Sequence, residues 1–277
     1  MKLAWMTDIH LDSVGDLYGK VLKLSESTAG CESVLISGDI SVSPMIIEHL
    51  HVLEEALQKP FYFVLGNHDY YFSDIISTRR KVAQECRNLS YARYLATVPY
   101  FQIKPGVAIV GHDGWYDALN GDLRNNDIVM NDWLKIADFS TAIRSSFTGK
   151  VLDKATIVSV ARAICRASVT HIASGIKAAA KDKNSHIVVV THVPPFRESY
   201  NGDKHRGMDS TSALPWYTSK TMGDTLLAAA VAYPHIKFTV LSGHTHSNYD
   251  NDLRNNLNVR VGKSQYGAPQ IAGYVDI

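Results

Sequence analysis

Five apolar segments of this sequence each end in residues of the types that bind metal ions. In chain order the endings are Asp8-Ile9-His10, Gly38-Asp39, Gly66-Asn67-His68-Asp69, His192 and Gly243-His244-Thr245-His246. A single ending of this kind would indicate only a turn, because glycine, asparagine and aspartate favour turn backbones. Five endings made of metal-ligand residue types indicate one shared site.

The spacing within two of these endings favours chelation of a metal ion. In an extended segment, side chains two residues apart point the same way, so Asp8 with His10, and His244 with His246, can each present two ligands. Imidazoles, carboxylates and one amide, without thiolates, suit divalent or trivalent Mn, Fe, Zn, Co or Ni better than Ca²⁺. The ligands outnumber what one tetrahedral ion takes, so we expect two ions that share a carboxylate.

The segments that carry these endings read as buried strands alternating with helices. Residues 34–37 and 61–65 form continuous apolar runs, as in strands covered on both faces, and ligands of open α/β sheets gather beyond the carboxyl ends of such strands. Helices are predicted at residues 17–27 and 73–96, and between Ser43-Pro44 and Pro60. The alternation predicts an α/β fold.

Two further regions complete the predicted architecture. Residues 131–183 read as long alanine-rich helices, and we expect a helical insertion or cap at about residues 117–183 within a single domain spanning residues 1–277. Residues 258–277 alternate short apolar pieces with glycine and proline, which predicts a hairpin that closes a second sheet.

Composition narrows the class of protein. The chain has 277 residues, 45% of them hydrophobic, and a formal net charge of +1, so no global field recruits nucleic acid or an anionic membrane. Its three widely spaced cysteines argue against a disulfide framework. No apolar run approaches the roughly 20 residues that span a bilayer. We therefore expect a cytoplasmic protein with no membrane partner.

The ordered endings resemble the signature of the calcineurin-like metallophosphoesterases. The resemblance rests on Asp8-x-His10, Gly38-Asp39, Gly66-Asn67-His68-Asp69, His192 and Gly243-His244-x-His246, and it extends over nearly the whole chain. It implies two packed mixed β-sheets flanked by helices, a four-layer α/β/β/α sandwich.

The resemblance also implies roles for these residues at a binuclear metal centre. Asp8, His10 and His246 would bind the first ion, Asn67, His192 and His244 the second, and Asp39 would bridge the two. His68 falls on the catalytic histidine, which donates a proton to the leaving alkoxide or holds the phosphoryl oxygens while a bridging hydroxide attacks phosphorus.

Substrate contacts are predicted at five positions. Asn67 and His68 come from the resemblance, Asp113 follows a strand that ends in series with the ligand-bearing ones, and Arg197 and His205 lie in a long polar segment after His192. Asp69 follows His68 directly, so its side chain points elsewhere, and we expect it to support the loop.

The implied activity is metal-dependent hydrolysis of phosphoric esters. We favour a small phosphodiester as substrate. The alternatives are a phosphomonoesterase, including a protein phosphatase, a nucleotide pyrophosphohydrolase, a nuclease, which the modest net charge disfavours, and a non-catalytic scaffold of the same fold. The intact ligand set and His68 argue against the scaffold.

Overall fold

Two mixed β-sheets lie face to face in this protein, with helices on their outer faces. The structure is a computed structural model that describes residues 1–124, 126–146, 153–200 and 212–277. The layering confirms the predicted α/β sandwich.

The strands are short and mostly buried. In chain order, those of the described residues are β1 (Lys2–Met6), β2 (Ser33–Ser37), β3 (Phe61–Val64), β4 (Ala92–Tyr94), β5 (Phe101–Lys104), β6 (Val107–Gly111), β7 (His186–Val190), β8 (Lys237–Ser242), β9 (Tyr249–Arg254), β10 (Leu257–Val261) and β11 (Ile271–Asp276). The first sheet has the order β11-β1-β2-β3-β4 and the second β5-β6-β7-β8-β10-β9. Antiparallel pairing occurs only at β11, β5 and β9 among these strands, so the ligand-bearing strands are parallel within each sheet.

Helices cover the outer faces of both sheets. Over the same residues they are α1 (Leu17–Ser27), α2 (Ile46–Leu57), α3 (Ile75–Glu85), α4 (Asn131–Lys135), α5 (Ala137–Ser146), α6 (Lys154–Lys181), α7 (Leu214–Tyr217) and α8 (Lys220–Ala232). In α2 the apolar residues Ile46, Leu50, Leu53 and Leu57 recur every three or four positions and are all buried, as an amphipathic helix on a sheet requires. None of the helices in the described ranges has both the length and the apolar character needed to cross a bilayer.

The chain departs from the sequence-based expectation in two places. The helix predicted for residues 73–96 ends at Glu85, and the chain then forms strand β4 beside β3. The carboxyl-terminal prediction is also wrong in part. The hairpin of the second sheet is β9 with β10, whereas β11 crosses to the first sheet and pairs antiparallel with β1.

An apolar layer between the sheets fixes the relative position of the strand ends. Side chains from both sheets interlock in one buried cluster, which contains Leu3, Trp5, Leu35, Val64, Leu95, Ile109, Val188, Val190, Leu241 and Val275. Close-packed interiors of this kind resist displacement, so the carboxyl ends of β1, β2 and β3 keep a fixed distance from those of β7 and β8. All five predicted endings follow these five strands.

We expect Leu35→Ala to lower the free energy of unfolding by about 2–5 kcal/mol, because it removes a side chain that is 0% exposed between the sheets. Leu22→Ala is the matched control, since Leu22 lies on α1 and is 56% exposed. Urea unfolding of both variants measures the difference. Equal midpoints for the two variants would contradict the packing described.

Candidate metal centre

The backbone turns sharply at the strand ends where the ligand-type side chains are placed. Positive φ angles occur at Asp8 (49°), His10 (40°), Asp39 (52°), His244 (67°) and His246 (53°). Residues other than glycine rarely adopt this conformation, which costs on the order of 1–3 kcal/mol each and is concentrated at functional sites. The prediction that Asp8–His10 and His244–His246 are extended is therefore wrong, because both residues of each pair have a left-handed backbone conformation instead.

Three side chains form a first group. The Nε2 atom of His246 lies 3.2 Å from Oδ1 of Asp8 and 3.3 Å from Nε2 of His10. One ligand atom from each of the three residues falls within 4.8 Å of the others, and Asp8 and His10 are fully buried. The group can therefore surround a single cation.

Three other side chains form a second group around the amide oxygen of Asn67. That oxygen lies 3.0 Å from Nε2 of His192 and 2.9 Å from Nδ1 of His244. The remaining nitrogen of His192 lies 2.8 Å from the carbonyl oxygen of Ser37, which fixes the orientation of the ring. His244 and His246 thus face different groups, although only one residue separates them.

Asp39 lies between the two groups. Its Oδ1 is 3.3 Å from Nε2 of His192, and its Oδ2 is 3.8 Å from Nε2 of His10. The backbone N–H of His68 donates to Oδ1 at 2.9 Å, which orients the carboxylate. One carboxylate therefore reaches both groups.

The electrostatics of the two groups suit cations. Burial raises the pKa of Asp39 well above its usual range, and the charge of Asp8 raises it further. Burial also acts to raise the pKa of Asp8, but a hydrogen bond with His246 and the nearby histidines hold that pKa below its usual range. Burial lowers the pKa of both His10 and His244 to about 3, so these rings are neutral at pH 7 and keep a lone pair for a metal ion. The donor set fits two transition-metal ions.

Glycines allow this close approach. A Cβ atom on Gly66 would lie 2.1 Å from Oδ1 of Asp39, and one on Gly243 would lie 2.1 Å from Oδ2 of Asp8. Both positions precede ligand-type residues, so the space that a side chain would fill is taken by the carboxylates.

His68 lies beside the groups and is partly exposed. Its ring centroid is 4.7 Å from that of His10 and 4.3 Å from that of Tyr71. Burial, followed by the influence of His10, lowers the pKa of His68 to about 2. One of its ring nitrogens lies within 4.8 Å of ligand atoms of His10 and Asp39, so the imidazole directly adjoins the two ligand groups.

Asp69 supports the loop, as predicted. Its carboxylate accepts hydrogen bonds from the backbone N–H groups of Gly66 at 2.8 Å, Ser41 at 2.7 Å and Ile40 at 3.3 Å. The loops after β2 and β3 are thereby tied together, which places Asp39 and Asn67 next to each other.

Two of the other predicted substrate contacts, Asp113 and Arg197, do not join this cluster. Asp113 is 1% exposed, and its oxygens accept hydrogen bonds from Leu65 N–H at 2.8 Å, Arg79 Nε at 2.8 Å, Tyr94 Oη at 3.0 Å and the hydroxyl of Tyr70. A carboxylate buried in this way holds neighbouring segments together inside the protein, so the prediction that Asp113 contacts the substrate is wrong. Arg197 is exposed in a short 3₁₀ turn, Arg197–Ser199. His205 lies outside the described residues.

Asp132 is a site residue that the sequence did not reveal. It is fully buried at the start of α4, and its Oδ1 accepts hydrogen bonds from Nδ2 of Asn67 at 2.8 Å and from the hydroxyl of Tyr71 at 2.9 Å. Because the carboxylate binds the NH₂ end of the Asn67 amide, the oxygen end must face His192 and His244. Asp132 lies 65 residues from Asn67 in the sequence. An acidic residue in the first turn of a helix interacts favourably with the helix dipole, so nothing in the local sequence marks Asp132 as a site residue.

Comparison with known proteins places this arrangement in context. Residues 1–248 match the family model described as calcineurin-like phosphoesterase, and no curated protein sequence matches the chain. The solved phosphopantetheinyl hydrolase of Mycobacterium tuberculosis is 14% identical with a TM-score of 0.64, over 96% of this chain and 90% of that chain. A dimetal phosphatase from Danio rerio is 11% identical with a TM-score of 0.54, over 95% of this chain and 87% of that chain. At these identities the structural likeness establishes the fold alone.

We expect Asp132→Asn to weaken the binding of one of two metal ions by about 10- to 100-fold while the protein stays folded, because an amide no longer fixes the orientation of Asn67. Titration calorimetry of metal-stripped protein measures the affinity. Asp127→Asn, an exposed position in the same segment, is the matched control. Unchanged affinity for both ions in Asp132→Asn would show that Asn67 does not depend on this carboxylate.

Proposed function

The chain belongs to the calcineurin-like phosphoesterase family, whose members hydrolyse phosphoric esters with bound metal ions, and we propose that its own substrate is a small phosphodiester. The observation that carries two-ion hydrolysis is the position of Asp39, within 3.8 Å of ligand-type nitrogens from both groups, and the choice of a diester rests on the charge around the ligands. A carboxylate in this position suits a two-ion centre and has no evident use at a single-ion one.

The proposed ligands follow from the two groups. Asp8, His10 and His246 would hold one ion, Asn67, His192 and His244 would hold the other, and Asp39 would serve both. Mixed nitrogen and oxygen donors suit Mn, Fe, Zn, Co or Ni, and we favour manganese among them. Two such ions, when bound, polarise the phosphoryl group and lower the pKa of water so that it becomes a nucleophile near neutral pH.

His68 is the proposed proton donor. Its ring lies next to His10, and its backbone N–H donates a hydrogen bond to Asp39. A general acid must come within about 2.6–3.2 Å of the oxygen that it protonates, and a partly exposed imidazole beside the centre can do so. Burial keeps the imidazole neutral in the free protein, so in this role His68 takes up a proton beside the anionic ester and passes it to the alkoxide that leaves phosphorus.

The charge around the ligands supports a diester rather than a monoester. A monoester dianion carries one more negative charge than a diester and usually calls for additional cations. In the described part of the chain, the side chains bonded to the seven proposed ligands include no lysine or arginine. Arg79, on a helix near the site, already pairs with the buried Asp113 at 2.8 Å. The singly charged diester therefore suits the site better.

We expect His68→Ala to lower kcat by roughly 10²- to 10⁴-fold with near-normal metal content, because it removes a proton donor but no proposed ligand. Asp39→Ala should lose both activity and metal. Elemental analysis and turnover on an ester with a poor leaving group measure the two effects. His235→Ala, an exposed histidine that precedes β8 at the sheet edge opposite the site, is the control. Full activity in His68→Ala would remove it from the mechanism.

We expect metal-stripped protein reconstituted with Mn²⁺ to hydrolyse bis-p-nitrophenyl phosphate with a higher kcat/KM than p-nitrophenyl phosphate, because no lysine or arginine of the described ranges is bonded to the proposed ligands, where it could bind a dianion. Zn²⁺, Co²⁺, Ni²⁺ and Mg²⁺ are tested in parallel. The reverse ratio would establish a phosphomonoesterase. Bound stoichiometric metal without turnover on either ester, a dinucleoside pyrophosphate or single-stranded DNA would favour a scaffold.

A further inference from the structure

The loop between β10 and β11 passes from the second sheet to the first beside the candidate centre. It consists of residues 262–270, which lie beyond the segment that matches the family model. Nothing in the sequence of this loop resembles a ligand block. It nevertheless places one aromatic side chain, that of Tyr266, against three site histidines.

The loop is fixed at both ends of its turn. The hydroxyl of Ser264 donates to the carbonyl oxygen of Asp8 at 2.5 Å, and the ammonium group of Lys20 donates to the carbonyl oxygen of Gly267. Gly267 has a φ of 71°, a conformation that glycine adopts without steric cost. Tyr266 lies between these two attachments, so its position is coupled directly to the backbone of a proposed ligand.

The ring of Tyr266 rests on His10. The two ring centroids are 4.2 Å apart with an interplanar angle of 28°, and the ring of His246 is 5.1 Å away. The hydroxyl oxygen lies 3.4 Å from Nε2 of His68. Tyr266 as a whole remains 47% exposed, so the residue is accessible from solvent beside the ligand groups.

The other tyrosine beside His68 cannot take the same part. Tyr71 packs against the His68 ring at 4.3 Å but is only 3% exposed, and its hydroxyl donates to the buried carboxylate of Asp132. Tyr71 therefore packs against the His68 ring from the protein interior. Tyr266 is the neighbour of His68 that combines a hydroxyl next to Nε2 with an exposed position.

We propose that Tyr266 is a further catalytic residue, whose hydroxyl donates a hydrogen bond to the leaving-group oxygen beside Nε2 of His68. Two donors 3.4 Å apart can share one acceptor that lies about 2.6–3.2 Å from each of them. The inference rests on the proposed phosphodiester hydrolysis. In that reaction water supplies its oxygen to phosphorus and loses a proton, and the bond from phosphorus to the leaving group breaks. The departing oxygen takes the proton of His68, which the proton lost by water replaces, while Tyr266 keeps its own proton and stabilises the developing charge.

The test is Tyr266→Phe, which keeps the ring on His10 and removes only the hydroxyl. Methyl phenyl phosphate and methyl p-nitrophenyl phosphate are compared, because phenolate is the poorer leaving group and depends more on hydrogen bonding. We expect kcat on methyl phenyl phosphate to fall on the order of tenfold, with a loss under about threefold on the nitrophenyl ester and KM within about twofold. Metal content should not change.

Tyr274→Phe is the matched control. Tyr274 lies on β11, is 40% exposed, and donates its hydroxyl to the carbonyl oxygen of Ser27 at 3.1 Å, so the same chemical change is made away from the site. Wild-type rates are expected for this variant on both esters.

Three results would overturn the inference. Wild-type kinetics in Tyr266→Phe, with His68→Ala impaired, would remove Tyr266 alone from the reaction and leave the proposed function intact. An equal loss on both esters accompanied by lower metal content would give Tyr266 a purely structural role on His10. Absence of metal-dependent turnover in the wild-type protein, assayed beside the variants, would overturn the proposed function and this inference together.

Discussion

The structure depends on the burial of two carboxylates, Asp8 and Asp39, in one small volume with uncharged imidazoles. Each is almost completely excluded from water, and burial lowers the pKa values of His10 and His192, which both lie within 3.8 Å of Asp39. Burying charge in this way is costly unless a counter-charge is present. Five residues of the cluster also hold left-handed backbone conformations. The packed apolar layer between the sheets offsets these costs, and metal ions would offset the electrostatic part.

A second set of carboxylates holds the cluster without entering it. Asp69 ties the loops after β2 and β3 together, Asp113 accepts a hydrogen bond from Leu65 at the end of β3, and Asp132 orients the amide of Asn67. These three come from different parts of the chain, and Asp132 belongs to the helical region. The amide has two chemically different ends, and a partner that accepts hydrogen bonds fixes the NH₂ end, so that the oxygen end faces His192. The helical region thus contributes to the chemistry of the site through orientation.

Much of the fold, and most of the residues that converge at the site, could be predicted from the sequence. Apolar runs with polar endings are visible locally, and parallel strands bring such endings to one edge. The parts that were missed depend on contacts between distant segments. The length of helix α3 was overestimated because nothing in the sequence pattern of residues 73–96 shows that part of this segment forms β4 beside β3. Asp132 and Tyr266 were missed because their roles come from what they touch, and Asp113 was misassigned because strand order alone does not reveal burial. The backbone at Asp8 and His10 was predicted as extended because spacing carries no information about φ.

The antiparallel pairing of β11 with β1 brings together two strands that are far apart in the sequence, since Lys2 pairs with Asp276. Asp8 and His10 follow β1, which lies between β2 and β11 in the described sheet, so without β11 the strand before these two ligands would be an edge strand. Contacts of such long sequence separation form slowly, because the entropy of loop closure must be overcome before they contribute any stability. The strand that precedes Asp8 and His10 therefore gains its second neighbour in the sheet through one of the slower contacts of the fold.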